Sequence, residues 1–305
     1  MGFATTAQQV GLMFGFILLG LFGAKKTWIS KETVSGLTNI LVYFVTPGVI
    51  IHAFYRPFSL SQLHDMGITA LVDALLFPAM MLLVYVLYAR VKDPDRRRTL
   101  RFGGIYSNAG YLGIPLVQAL FGAEGVFFAV WYVVAYNIYV WTQGWSMFPA
   151  GRGGLKQLLS NPAIPSVVVG LGLFASSWTL PGVVVTGLTY LSEMNAPLSM
   201  FVVGASLAGV AWRTVATDPW VWVGTAVRNV LIPALGVLVL WAVPLPVTAR
   251  LATLILLSAP VAAFLVMFTV MHHEDTDFPS RLVTLSTLVS IATLPGTVAL
   301  AQALW

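Results

Sequence analysis

Hydrophobic residues fall in ten long runs, at about 6–24, 34–54, 66–90, 101–121, 125–148, 162–178, 183–210, 219–243, 248–271 and 281–304. Short polar connections separate them. Most runs reach the ~20 residues that a helix rising 1.5 Å per residue needs to cross a ~30 Å hydrocarbon layer. The pattern predicts an all-α membrane protein of ten transmembrane helices, numbered here as segments one to ten.

Composition points the same way. Of 305 residues, 58% are hydrophobic and only 9% charged, against about 25% charged in soluble domains. Mean hydropathy is +0.86. There is no cysteine, which excludes disulfides and thiolate metal sites. The net charge of +5 raises the question of a nucleic-acid partner, but its distribution answers it. With the N-terminus outside, the inner connections hold Lys25, Lys26, Lys31, Arg90, Lys92, Arg96, Arg97, Arg98, Arg101, Arg152, Lys156, Arg213 and Arg281. The outer ones hold only Arg56 and Arg250. This is the positive-inside asymmetry of a multi-pass protein of the plasma membrane, both termini outside, with the lipid bilayer and not nucleic acid as its surroundings. The first run lacks the charged leader of a signal peptide and is followed by lysines, so it reads as a retained span.

The two halves resemble each other. Val72-Asp73-Ala74-Leu75-Leu76-Phe77-Pro78-Ala79 in segment three aligns with Val227-Arg228-Asn229-Val230-Leu231-Ile232-Pro233-Ala234 in segment eight. Pro47 in segment two matches Pro197 in segment seven, and Pro115 in segment four matches Pro260 in segment nine. Five segments per half is an odd number, so the second half enters the membrane from the opposite side. The expected organisation is two inverted five-helix repeats, residues 1–148 and 162–305, joined by a cytoplasmic loop at 149–161. Inverted repeats are a mark of secondary transporters.

Segment four carries Ser107-Asn108-Ala109-Gly110-Tyr111-Leu112-Gly113-Ile114-Pro115 at its centre. Proline removes a donor and crowds the carbonyl four residues back, so a helix break near Tyr111 is expected. Broken helices survive at membrane depth only when buried in protein or lining a wet cavity. A second half-helix then starts inside the membrane, its unpaired N–H groups and positive dipole end facing that cavity. Segment nine repeats the arrangement at Ser258-Ala259-Pro260. Two such ends running in opposite directions favour an anionic ligand group, and Asn108 adds an amide that both donates and accepts. Gly110, Gly113, Pro115, Ser258 and Pro260 complete this candidate substrate site; the competing reading is that they only permit close helix packing.

Two charges fall inside the spans, Asp73 and Arg228. Each would cost roughly 3 kcal/mol or more facing lipid, so both are placed against protein or water. They pair as a structural lock, or Asp73 carries a proton or cation and Arg228 partners an anion. Tyr132, Tyr136, Asn137, Tyr139 and Gln143 recur at three- and four-residue steps on segment five, a polar face that lines the cavity or bridges helices. Thr46 and His52 flank Pro47. His272-His273-Glu274-Asp275 has the composition of a metal site but reads as a solvated turn; no metal or cofactor is expected. Asn161-Pro162-Ala163 reads as a helix start.

Asn108-x4-Gly113-x-Pro115, the stretch from Leu37 to Pro47, Asn161-Pro162, and Pro197-Leu198-Ser199 through Gly204-x-Ser206-Leu207 together resemble the auxin efflux carrier family. That family includes plant auxin carriers and bacterial permeases for malate or malonate. The resemblance covers nearly the whole chain. It implies crossed, broken helices four and nine, a scaffold of helices 1, 2, 6 and 7, and a transport unit of helices 3–5 and 8–10. It further implies a homodimer through the scaffold and elevator-type alternating access. It places Asn108 and Pro115 at the first crossover, Pro260 at the second, Thr46 and Ile50 on the scaffold side, and Asp73 close to an acidic position of some members. The long hydrophilic loop of the plant proteins is missing here, which brings the bacterial permeases nearer.

The function these readings define is a secondary carrier for a small organic anion, malate-like or auxin-like, with H+ or Na+ as possible coupling ion. The alternative is a sodium- or proton-coupled symporter related to the bile-acid carriers. An enzyme is not expected: Ser206 offers a nucleophile, but His52, His64, His272 and His273 give no general base inside a span. A channel would differ by flux without saturation or counter-transport.

Overall fold

The computed structural model describes residues 3–148, 158, 161–209 and 212–305. The inter-repeat loop expected at 149–161, with Arg152 and Lys156, therefore lies almost wholly outside the described residues. The helices are α1 (Phe3–Lys25), α2 (Glu32–Phe54), α3 (Leu60–Leu87), α4 (Pro94–Ile105), α5 (Ala109–Gly144) and α6 (Ala163–Ser176). They continue with α7 (Gly182–Ser206), α8 (Trp212–Val215), α9 (Pro219–Trp241), α10 (Val247–Ser258), α11 (Phe264–Met271) and α12 (Asp277–Leu304). Among the described residues there is no strand. Each hydrophobic run is occupied by helix, and two runs hold two helices in succession, α4 then α5, and α10 then α11.

The helices α2, α3, α5, α9 and α12 are long and apolar enough to cross a membrane. Their outward faces are apolar, as with Leu71, Leu75 and Leu82 on α3 and Leu238 on α9, which suits lipid as the solvent. Helix α5 spans 36 residues; as a straight rod it would be ~54 Å long, well beyond the hydrocarbon layer. It bends at Gly122, whose φ of 61° and ψ of −150° lie where residues with a Cβ are strained.

Proline shapes the helices through local π-turns. Leu41–Val45 precedes Pro47, Ala109–Gly113 precedes Pro115, and Val227–Leu231 precedes Pro233. The wider i→i+5 register leaves room for the ring and absorbs the missing donor. Pro78, Pro197 and Pro295 sit inside α-helix instead.

Helix α1 packs along α7, and α2 packs against α6 and α7. The other group joins α3, α10 and α12 to α5 or to one another, with α9 against α10 and α12. At the α1–α7 crossing, a Cβ on Gly20 would stand 2.3 Å from the Phe201 carbonyl oxygen, and one on Gly204 would stand 1.9 Å from that of Ile17. Only glycine permits this backbone contact. On the predicted inner side, Asp93 and Asp218 cap α4 and α9, and Arg96 bonds Asp218 at 2.9 Å while Arg98 bonds Glu274.

Candidate functional site

Helix α4 ends at Ile105 and α5 begins at Ala109. The break thus covers Tyr106–Asn108, a few residues before the expected position near Tyr111, because the π-turn over Ala109–Gly113 accommodates Pro115. In that turn the Asn108 carbonyl accepts from both Leu112 and Gly113, at 3.2 and 3.1 Å. Helix α10 ends at Ser258 and α11 begins at Phe264. The two interruptions meet: Asn108 N–H donates to Pro260 O at 2.7 Å, Ala262 N–H donates to Tyr106 O at 3.0 Å, and Ser107 and Val261 form an antiparallel bridge. Backbone groups released by each break are satisfied by the other, as burial at this depth requires. Val261 N–H finds Ser286 Oγ at 2.9 Å, and Ser286 in turn donates to Asn229 Oδ1 at 2.6 Å.

Beside this junction lies a cavity of about 120 Å³. Thr46 of α2, Asn108, and Gly110, Tyr136 and Asn137 of α5 line it, which brings together five of the predicted site residues. Leu41, Val42, Ser107, Tyr111, Val133, Asn161, Ala163, Asn195, Ser199 and Phe264 complete the wall. No side chain in it is charged. Gly110 is exposed to open space, with nothing within 4 Å of where a Cβ would stand. The first amides of a helix have no intrahelical acceptor, so Ala109, Gly110 and Tyr111 direct N–H groups at the start of α5.

Several predicted residues stand behind the cavity. Gly113 is buried where a Cβ would reach within 3.1 Å of Leu256, so it serves the approach of α5 to α10. Pro115, Ile50, Ser258 and Pro260 are buried without lining it, Pro260 contributing through its carbonyl to Asn108.

Arg228 and Asp73 are both fully buried and outside the cavity wall. Among the described residues they form no ion pair with one another. The Arg228 guanidinium donates to Ala259 O (3.0 Å), Gly104 O (3.1 Å), Ile105 O (3.3 Å) and Leu257 O. These carbonyls lie at the C-terminal ends of α4 and α10, so one cation caps the negative dipole ends of both interrupted helices. Asp73 Oδ1 accepts from Thr253 Oγ1 at 2.9 Å, while Oδ2 has no partner.

Besides Ser107 and Tyr111, which flank predicted residues of the segment-four motif, the wall holds Asn161, Asn195 and Ser199, which were not among the predicted site residues. Asn161 donates to Asn137 Oδ1 at 2.6 Å and accepts from Ala163 N–H; its role as a helix start hid its role in the wall. Asn195 and Ser199 stand four residues apart on one face of α7 around Pro197, and that polar pair in an apolar helix was the available signal.

The molecule is therefore a membrane-embedded helical protein whose interrupted helices frame an uncharged polar cavity, the architecture of a transporter. The profile of the family described as membrane transport protein matches residues 8–158 and 152–298. The chain belongs to that family, the auxin efflux carrier family. It is similar to an uncharacterized transporter of Methanothermobacter thermautotrophicus, 25% identical over 293 residues and covering 93% of each chain. An uncharacterized transporter of Methanocaldococcus jannaschii is 26% identical over 218 residues, 66% of this chain and 70% of its own.

Proposed function

We propose that this transporter is a secondary active carrier for a small organic anion, a carboxylate of malate-like or auxin-like class. The observation that carries the reading is the meeting of Asn108, Asn137, Asn161 and Asn195 around one cavity, beside the N-terminal turn of α5. Neutral amides and helix-start N–H groups bind a carboxylate without committing a buried cation to it. Arg228 strengthens this by neutralising the opposite helix ends, which leaves the positive ends unopposed. A cavity of about 120 Å³ is below the ~300–1,000 Å³ typical of drug-sized ligands, which favours a compact carboxylate over an indole acid.

In this reading the ten hydrophobic runs are ten spans in two inverted repeats, 1–148 and 162–305, crossing at segments four and nine. The packing of α1 on α7 and of α2 on α6 and α7 supports reading these four helices as the scaffold, through which the proposed homodimer forms. Helices α3–α5 and α9–α12 form the transport unit, moving as an elevator in the plasma membrane, with both termini outside. Asp73, buried with one oxygen unpartnered, is the group for a coupling H+ or Na+; Arg228 acts on the helix ends.

Purified protein screened by thermal shift against mono- and dicarboxylates and indole acids tests the proposal. Stabilisation by a small carboxylate at millimolar concentration, with saturable counterflow in liposomes, is the expected result. Absence of stabilisation by any of them removes the anion assignment.

A further inference from the structure

Gln118 lies three residues beyond Pro115 on α5 and faces α7. Its Nε2 donates to the Ser192 carbonyl at 2.6 Å and contacts Ser192 Oγ at 2.7 Å, and its Oε1 accepts from Asn195 Nδ2 at 2.9 Å. Ser199 Oγ closes the set by donating to the Asn195 carbonyl. Ser192, Asn195 and Ser199 are all buried. Beside it, α5 and α7 meet α1 and α12 through apolar side chains, with Met13, Ile17, Leu112, Leu116, Met200 and Leu294 around one small void.

The orientation of every amide in this set is forced. A carbonyl can only accept, so the NH2 group of Gln118 must face Ser192 O, which turns Oε1 toward Asn195. Asn195 must then present its own NH2 group. One of its two N–H bonds is used by Gln118, and the other remains on a side chain that lines the cavity.

Resting on the reading above, in which α5 moves against α7, we infer that Gln118 is a positioning residue. It clasps the two units in the arrangement that forms the cavity, and it aims an Asn195 N–H at the ligand only in that arrangement. The repeat offsets supply an asymmetry. The reciprocal bonds of the crossover, Asn108 N–H to Pro260 O and Ala262 N–H to Tyr106 O, make Tyr106 equivalent to Pro260 and Asn108 to Ala262, rather than Pro115 to Pro260. This sets Gln118 against His272, whose ring nitrogen bonds the Phe268 carbonyl of its own helix. The Pro47–Pro197 match sets Ser192 and Asn195 against Val42 and Val45. None of them makes such a bond through its side chain, so the mirror-image arrangement has no matching clasp. Transport in the two directions therefore starts from states of unequal population.

The chain contains no cysteine, so introduced thiols are its only ones. Spin labels at Trp178→Cys and Val247→Cys, both exposed and on the predicted outer side of different units, report the spacing by pulsed electron resonance with and without millimolar malonate. The parent is expected to hold one dominant distance without malonate. Gln118→Leu, which makes none of the bonds, is expected to raise a second distance about tenfold in population ratio. Ser192→Ala, which keeps the carbonyl acceptor, shifts the ratio less and covers the case in which the leucine variant fails to fold. If the parent visits both distances and both variants match it, the clasp is refuted while the moving-unit reading stands. If parent and variants hold a single distance under all conditions, the moving-unit reading falls and the clasp with it.

Discussion

Asn108 donates its backbone N–H to the carbonyl oxygen of Pro260 across 2.7 Å, joining two interruptions that lie about 150 residues apart in the sequence. The bond consumes the main chain of Asn108 and leaves its side-chain amide, among the described residues, to the cavity. Replacing that amide tests the site directly. A hydrogen bond to an ionised group is worth ~1.5–3 kcal/mol, or roughly 10- to 150-fold in Kd. Asn108→Ala is expected to weaken carboxylate binding by that factor in calorimetry while melting at the parent temperature. Equal transport by parent and variant would contradict the placement.

Gly110 gives a steric probe of the same space. Because a Cβ there meets nothing within 4 Å, Gly110→Leu is expected to fold normally and to block uptake by filling the cavity. Gly110→Ala should pass small carboxylates and slow larger ones, measured as uptake rates across a chain-length series.

Arg228 makes a stability prediction. Removing the guanidinium strands four buried carbonyls at two helix ends, each unsatisfied group costing ~1–3 kcal/mol. Arg228→Met is expected to lose about 3 kcal/mol or more, seen as a large fall in melting temperature. Arg228→Lys offers three donors in place of five and a single point of attachment, so it should recover only part.

These residues also show how far the sequence could be read. Ten apolar runs were legible because lipid demands continuous helix, and the Asn-Gly-Pro cluster was legible because it contradicts that demand. The place of the break was not, since a π-turn took up the missing donor of Pro115. Arg228 announced itself as a buried charge, yet its partners are backbone carbonyls, which leave no trace in side-chain identity. Asn161 and Asn195 reach the cavity from the start of α6 and from α7; the helix-start reading masked the first, and for the second only the polar Asn195–Ser199 spacing in an apolar helix gave a signal.

Asp73→Asn separates coupling from binding. If this carboxylate carries the proton, accumulation driven by a pH gradient disappears in the variant, while exchange of labelled for unlabelled carboxylate continues. Retention of the parental pH dependence would assign Asp73 a packing role through Thr253.

The crossing of α1 and α7 predicts non-additivity. Gly20→Ala and Gly204→Ala each push one backbone off another, at a cost of ~1–3 kcal/mol. One separation of the helices relieves both clashes, so the double variant should cost less than the two single losses together. Melting curves of the three proteins in detergent decide it.

Gly122 turns α5 at a single residue, with no slack on either side of the corner. The end of the helix that carries Gly110 and the arm that carries Tyr136 and Asn137 are thereby welded into one bracket. A guest between the two arms meets Gly110 on one and Tyr136 and Asn137 on the other, so that side of its seat is built from one continuous stretch of chain.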